Sequence, residues 1–389
     1  MTPPVLDYEL LSTDDDVVDY LSGAGLLHQL AELAEHVTVT EVTAGNMNRV
    51  FIAAGPLGSL AVKQAPPFVQ VAGPGWPIDP ARIAAEARAY EVFSRIVPEA
   101  VPVIVHCDLE RFILVMEDLS GLRVVRDELI AQIVATESGD LVAAIDFAAL
   151  GAVVGRFVGT VSVATSAGQL GVAAHAELVR ASENSGLCAL TLDVVLDEPF
   201  RPHEHNHWHP ALEHRVAGLY SDAEVRDAVA GLRATFRDAA QSLLHGDLHS
   251  GSVMVGPAPS GEPGTNAPQQ VRVFDPEFSF VGPIGLDLGL FWANLEIAAV
   301  AAEAIGAHDL AADRRLAITS SWAAFTAEWE KNAVDAWRFA GAEAMRRVVG
   351  YAHAADLETL PPEVAATAHL TIFDRARHWL VAATPRETL

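Results

Sequence analysis

Two short stretches of this chain, "LLHGDLHSGSVMV" and "VRVFDPEFSF", place His245, Asp247, His249, Asp275 and Glu277 beside apolar runs that read as buried strands. A carboxylate at the position of Asp247 could accept the proton of a hydroxyl group as that oxygen attacks phosphorus. Asp275 and Glu277 stand two residues apart in an extended segment, so both carboxylates could face one side and hold Mg²⁺, a hard cation that prefers oxygen ligands. Phosphoryl transfer asks mostly for positioning and charge neutralisation, so one base and a pair of metal-binding acids are sufficient protein chemistry. The alternative is two unrelated acidic turns. His245 and His249 are expected to orient the loop by hydrogen bonds, and Asp287, in "GLDLGLFWANL", to support that loop or cap the next helix.

Lys63, in "LAVKQ", is flanked by strand residues, a setting in which a lysine usually faces solvent. Glu86 alters that expectation. It lies at i+3 from Ile83 and four residues before Tyr90, on the apolar stripe of a helix, where a carboxylate requires a cation. Lys63 is the nearest upstream candidate on an adjoining strand, and such a pair can ready a lysine for nucleotide phosphates. Glu86 at the edge of the stripe, pointing to water, is the competing reading. The turn "TAGNMNRVF" carries the single glycine Gly45, which fits a phosphate-cradling loop and a plain hairpin equally well.

Two further clusters stand out. Arg346 and Arg347 are adjacent on a helical, otherwise apolar segment and could grip two oxygens of one small polar ligand; surface arginines are the plain alternative. "RPHEHNHWHP" alternates His203, His205, His207 and His209, which a strand would turn to one side as metal ligands. No cysteine and no His-Glu-x-x-His spacing accompanies them, so an exposed loop is expected.

The 389 residues are too many for one ordinary core and imply two lobes. With 25 Lys and Arg against 51 Asp and Glu, the formal charge is −26, which argues against nucleic acid and anionic membranes as partners. A polyphosphate would be repelled too, so holding one needs local cations or metal ions. Two cysteines, Cys107 and Cys188, form no disulfide framework and suit a reducing, cytoplasmic setting. No basic segment followed by an apolar stretch opens the chain, so no signal peptide is expected. The apolar tract "AALGAVVGRFVGTVSVA" has Arg156 at its centre and reads as a buried helix, not a membrane span.

Ser12-Thr13-Asp14 predicts the cap of an early helix. "VTVTEV", "NRVFIAAG", "LGSLAVKQ", "VPVIVHCD" and "RFILVMEDL" predict antiparallel strands, with one helix in "DPARIAAEARAYEVFSRIV" begun by Asp79 as N-cap and Pro80 at its first position. Beyond residue 121 the pattern is mostly helical, except for the short strands around the opening motifs; "GPAPSGEPGTNAPQQ" between them predicts an exposed loop. The expected class is α+β: a small antiparallel-sheet lobe over residues 1–118 and a larger, mostly helical lobe over 119–389.

With these residues in place, the chain resembles the methylthioribose kinases of the protein-kinase-like and aminoglycoside-phosphotransferase-like superfamily, from about residue 35 to residue 380. "AGNMNRVF", "AVKQ", "WPIDPARIAAEA", "LVMEDLS", "HGDLHSGSVMV", "FDPEFSFVGPIGLDLG" and "MRRVVGYAHAADLE" carry the resemblance. It implies a bilobal fold using ATP and Mg²⁺, a small-molecule sugar acceptor, and a homodimer. Lys63, paired with Glu86, would contact the ATP phosphates, with Gly45 and Asn46 in the glycine loop. The backbone of Glu117, Asp118 and Leu119 would meet the adenine. Asp247 would be the catalytic base, and Asp275 and Glu277 would hold Mg²⁺. Arg346, Arg347 and Trp76 would serve the acceptor, phosphorylated at the anomeric hydroxyl to give S-methyl-5-thioribose 1-phosphate in methionine salvage. Where the family's glycine loop reads Asp-Gly-Asn, this chain has Ala44-Gly45-Asn46, and Ser252 stands where antibiotic kinases put a metal-binding asparagine. A kinase for another sugar or an aminoglycoside-like alcohol, and an inactive nucleotide-binding module, are the competing functions.

Overall fold

The computed structural model describes residues 9–43, 47–139, 144–256, 268–329 and 335–382. The chain forms two compact units, Met1–Leu122 and Arg123–Leu389.

In the first unit, helix α1 (Asp14–Gly23) is followed by strands β1 (Thr38–Val42), β2 (Arg49–Gly55) and β3 (Gly58–Gln64), helix α2 (Arg82–Ile96), and strands β4 (Ile104–Asp108) and β5 (Ile113–Glu117). The five strands form one antiparallel sheet in the order β1-β2-β3-β5-β4. The predicted cap of α1 is present: Thr13 accepts from the Asp16 amide, while the Asp16 carboxylate accepts from the amides of Ser12 and Thr13 at 2.8 Å. Phe51, Leu60, Val62, Ile113 and Val115 pack with Val17 and Leu21 of α1 in one buried cluster. Because side chains alternate along a strand, residues of odd register relative to Val62 face the other side of the sheet. Lys63 is one of them, and α2 packs on the adjoining strands β4 and β5.

The start of α2 differs from expectation. Helical geometry begins at Arg82, not at Pro80, and Asp79 accepts from the Ala81 amide at 2.8 Å to close a preceding turn. The bonds from Ile83 and Ala84 reach back three residues, to Pro80 and Ala81. The first turn is therefore wound tightly before the four-residue spacing sets in.

The second unit opens with β6 (Arg123–Val124), followed by α3 (Val125–Ser138), α4 (Phe147–Thr165), α5 (Ala167–Leu170), α6 (Val172–Ala181), α7 (Ser185–Val194), α8 (Glu213–Leu219) and α9 (Ala223–Asp238). Short strands then carry the motif region: β7 (Ser242–Leu243), β8 (Val253–Val255), β9 (Val271–Val273) and β10 (Val281–Gly282). β8 lies between β6 and β9 in one antiparallel sheet, and β7 pairs with β10. Helices α10 (Gly285–Ala304), α11 (His308–Glu328), α12 (Ala336–Val349), α13 (Ala355–Glu358) and α14 (Pro362–Val381) complete the unit. Most of the connection predicted as a loop, residues 257–267, lies outside the described residues.

Helix α10 is buried around its whole circumference, and α12 and α14 pack on it and on each other. Trp292 of α10 meets Trp337 of α12 with ring centroids 5.0 Å apart, and Trp337 meets Trp379 of α14 at 5.0 Å. Helices α4 and α10 are each long and apolar enough to cross a membrane. In α4 the packing explains the composition: Gly151, Gly155 and Gly159 repeat every four residues on one face against α11, while Arg156 is exposed. The approach is close enough that a Cβ on Gly155 would sit 2.0 Å from the Ser321 carbonyl oxygen. Gly155→Ala must force the two backbones apart. We expect it to destabilise this unit by about 1–3 kcal/mol, read as a lower urea midpoint in far-UV circular dichroism.

Candidate active site

In the first unit, Lys63 and Glu86 form the expected pair. Lys63 Nζ lies 2.8 Å from Glu86 Oε1 and 2.7 Å from Oε2, with the carboxylate side chain wholly buried and the lysine 7% exposed. Ile83, Glu86 and Tyr90 are all buried, as the stripe required. The ammonium is thereby held over the side of the sheet opposite the apolar cluster, with its charge desolvated and its position fixed.

Arg82 was not singled out by the sequence. It is buried, and it ties three segments together by donating to Met47 O, Asn48 Oδ1 and Pro66 O, each at 2.9 Å. It thus fixes Met47 and Asn48; Gly45 and Asn46, expected in the glycine loop, lie outside the described residues. Trp76 is half-buried, and its carbonyl accepts from the Val69 amide at 3.0 Å. At the exit of β5, the Glu117 amide donates to Val103 O and Leu119 O accepts from the Leu122 amide, both at 2.8 Å. Asp118 Oδ1 accepts from the Ser120 amide at 2.8 Å. Burial works to raise the Asp118 carboxyl, but hydrogen bonds from Ser59 and Ser120 win and hold it below the ordinary carboxylate value. Those bonds stiffen the Glu117–Leu119 segment and already use two of its backbone groups.

In the second unit the motif loop between β7 and β8 hangs from one buried carboxylate. Asp287 Oδ2 accepts from the His245 amide at 2.8 Å and Oδ1 from the Gly246 amide at 2.9 Å. Gly246 has φ +87°, and a Cβ there would lie 2.1 Å from Phe278 O, so glycine is required. Burial pushes the Asp287 carboxyl up to about 7, against the pull of the two amide bonds. His245 is buried and donates from Nε2 to Phe274 O at 2.9 Å while Nδ1 accepts from the Asp247 amide at 3.3 Å. That arrangement needs the neutral ring with its proton on Nε2, in line with burial lowering its pKa to about 4.

Asp247 follows this turn and keeps 27% of its side chain exposed. His249 stands beside it: Nδ1 accepts from the Gly251 amide at 2.9 Å, which puts the proton on Nε2, 3.5 Å from Asp247 Oδ2. Ser252 Oγ donates to Asp247 O at 2.9 Å, so the residue in the place of a metal-binding asparagine closes the loop. Burial alone would raise the Asp247 carboxyl. His249, then Arg346 and Arg347, overcome that and hold it well below the usual carboxylate range.

Those arginines are the second expected group that the fold brings to Asp247. Glu343, one turn earlier on α12 and wholly buried, accepts from Arg346 Nε and Nη2 and from Arg347 Nε. Asn294 of α10 also donates to Glu343 Oε1 at 3.3 Å. Burial would raise the Glu343 carboxyl, but the two guanidiniums bring it down to about 2. Arg347 engages Glu343 through Nε alone, and its two Nη groups have no partner among the described residues.

Asp275, just past β9, has φ +65°, a left-handed conformation that few residues other than glycine adopt. Glu277 is buried, and a carboxylate oxygen of each lies within 4.8 Å of the other. Two hard oxygen donors so close fit a Mg²⁺ ion, which Asp275 and Glu277 could hold between them. Asn184, which the sequence did not flag, braces this turn from Nδ2 to Glu277 O at 2.8 Å and Ser279 O at 3.1 Å. Glu343 could have been found from its spacing, Glu-x-x-Arg-Arg at i, i+3 and i+4; Arg82 and Asn184 gave no comparable signal.

No model of a protein family matches the chain. Among curated proteins it is 31% identical over 371 residues to a methylthioribose kinase of Bacillus thuringiensis (strain Al Hakam), covering 90% of this chain and 86% of that protein. A methylthioribose kinase of Bacillus anthracis is 31% identical over the same length and with the same coverage. Solved structures it is similar to include a glucosamine kinase in complex with glucosamine, ADP and inorganic phosphate, at TM-score 0.47 and 16% identity, covering 93% of this chain and 86% of that one. A choline/ethanolamine kinase family protein from Mesorhizobium loti gives TM-score 0.45 at 13% identity, with 95% of each chain covered.

The Glu343 carboxyl has a consequence for stability. Its folded value of about 2 lies below the ordinary 4.5, so its contribution is present above pH 4.5 and is lost as pH falls through about 2. At about 1.4 kcal/mol per unit, the interval corresponds to roughly 3 kcal/mol. We expect Glu343→Gln to lower stability by about that amount at neutral pH. Between pH 5 and pH 2 its urea midpoint should fall less steeply than that of the parent protein.

Proposed function

Because the chain belongs to the methylthioribose kinase family and is a small-molecule phosphotransferase, we propose that it transfers the γ-phosphoryl group of ATP to the anomeric hydroxyl of S-methyl-5-thioribose, giving the 1-phosphate and ADP. In this reading the enzyme is cytoplasmic and homodimeric and serves methionine salvage. The observation that carries the reading is Asp247 with His249 and the arginine pair clamped by Glu343: one ionised acid and fixed cations within a single unit.

Asp247 takes the acceptor hydroxyl. Its depressed pKa makes it a weak base, so it orients the O–H bond first and receives the proton late, once bonding to phosphorus has made that proton acidic. His249 Nε2–H steers the carboxylate. Arg347 offers its Nη groups to the sugar oxygens or to the charge that builds on the transferred group, with Arg346 beside it on the same clamp. Lys63, fixed by Glu86, neutralises ATP phosphate oxygens, and the backbone of Glu117, Asp118 and Leu119 meets the adenine. Asp275 and Glu277 would hold Mg²⁺, which when bound neutralises phosphate charge. Local cations of this kind are what an otherwise acidic chain of net charge −26 needs in order to hold a triphosphate.

Asp247→Asn keeps the side-chain size and removes the proton acceptor. We expect kcat to fall by about 10²–10⁴, while calorimetry still detects ATP binding; undiminished turnover would take the role away from Asp247. A panel of sugars, amino alcohols and aminoglycosides with ADP detection tests the acceptor. Turnover is expected with S-methyl-5-thioribose, and turnover with another alcohol alone would overturn the acceptor while leaving the kinase chemistry standing.

A further inference from the structure

The histidine-rich segment 203–209 is not a strand, and its four rings do not share a side. They divide into three settings. His207 stacks on His353 with centroids 3.8 Å apart, and His209 stacks on His369 at 4.9 Å. His203 and His205 instead turn to Glu198, which is buried and lies early in the connection between α7 and α8. We propose that Glu198, His203 and His205 form a site for a divalent transition-metal ion of the zinc class, separate from the acids assigned to Mg²⁺ and independent of the acceptor's identity.

The first argument is distance. Glu198 Oε2 lies 2.9 Å from His205 Nδ1 and 3.6 Å from His203 Nδ1, and one donor atom from each of the three residues falls within 4.8 Å of the others. Zinc bonds of about 2.0–2.1 Å at tetrahedral angles put ligand atoms roughly 3.3 Å apart. The two separations from Glu198 bracket that value and the two histidine donors lie within 4.8 Å of each other, so the ion enters by side-chain adjustment without moving the backbone apart.

The second argument is chemistry. His203 Nδ1 accepts from the His205 amide at 3.3 Å, so it carries no proton; its one lone pair must leave that long, weak contact to bind the ion. His205 Nδ1 at present donates to Glu198, and on ligation its proton moves to Nε2, leaving the ring neutral. One carboxylate and two imidazoles select a borderline cation such as Zn²⁺ over Mg²⁺ or Ca²⁺, which prefer all-oxygen sites. The His203 and His205 side chains are 20% and 30% exposed, which leaves room for water as a fourth ligand and a path of entry.

The third argument is that the segment is already held in place, so little ordering is needed on binding. Asn206 Nδ2 donates to Glu198 O at 2.7 Å and Arg201 O at 2.9 Å. The His207 amide donates to Val349 O at 3.1 Å, and His353 Nε2 lies 2.7 Å from His207 O. The segment thus seats on the last residues of α12, beyond Arg346 and Arg347. The ion would staple that seat and touch none of the reacting groups.

The test uses the full chain without an oligohistidine tag, stripped with chelator and kept in excess Mg²⁺. Zn²⁺ is titrated against a chromophoric chelator for the parent protein and for His203→Gln, a change that spares the 2.9 Å bond between His205 and Glu198. We expect one Zn²⁺ bound at micromolar or tighter affinity, weakened by about tenfold or more in the variant. Zn²⁺ should also raise the thermal midpoint of the parent and not that of the variant. Co²⁺ in place of Zn²⁺ should give the visible absorption of a four-coordinate ion. Equal Zn²⁺ affinity in the two proteins, or no saturation below about 1 mM, overturns the site.

Discussion

One buried carboxylate taking two consecutive amides is the contact on which the rest of the second unit's site depends. Asp287 fixes the His245 and Gly246 amides, and the chain can satisfy both only by passing through the positive φ that Gly246 supplies. That turn delivers Asp247 to its place and sets His245 to donate to Phe274 O, which ties the loop to the end of β9. Asp275 comes next, itself in a left-handed conformation. Such a residue costs on the order of 1 kcal/mol and persists only where neighbours over-determine it. Here the neighbours are the His245 bond on one side and the buried turn around Glu277, braced by Asn184, on the other.

Helix α10 is the shared scaffold for both halves of this arrangement. Asp287 and Asn294 are seven residues apart, two turns, and so lie on nearly the same face of the helix. The first holds the loop, and the second donates to Glu343 on α12, which in turn holds Arg346 and Arg347. A helix buried on all sides and locked by the Trp292–Trp337–Trp379 packing has little freedom to shift one contact without the other. Aromatic burial thereby becomes positional accuracy at the charged groups.

The electrostatics run against the chain's overall sign. The net charge is −26, yet around Asp247 the fold gathers two guanidiniums and a histidine. Glu343 makes this possible. Two adjacent arginines repel each other, and burial lowers the Arg347 pKa, with Arg346 adding to the effect. A wholly buried carboxylate between them offsets the repulsion and fixes both guanidinium planes. The same device appears in simpler form in the first unit, where Glu86 holds Lys63.

The sequence by itself determined the parts whose signal is local and periodic. The β-branched strand segments, a helix cap within Ser12-Thr13-Asp14 and the stripe Ile83-Glu86-Tyr90 all follow from side-chain geometry within a few residues, and the structure has them. The Lys63–Glu86 pair was legible because a carboxylate on an apolar stripe needs a cation, whatever the fold. The start of α2 was not legible: Asp79-Pro80 is a good cap sequence, but the Arg82 guanidinium is drawn to Met47, Asn48 and Pro66, segments that only folding brings near. The alternating histidines lie outside any strand, as expected; what the sequence did not show is which partners they take, His353 and His369 from far along the chain and Glu198 from just upstream. The sequence left Asp287 between supporting the loop and capping α10, and the fold settled on the loop; tertiary structure alone decided that Glu343 unites the arginines with Asp247, and that Asn184 and Arg82 matter. A buried charge is settled by whichever partner the fold delivers, and distance along the chain carries no record of that.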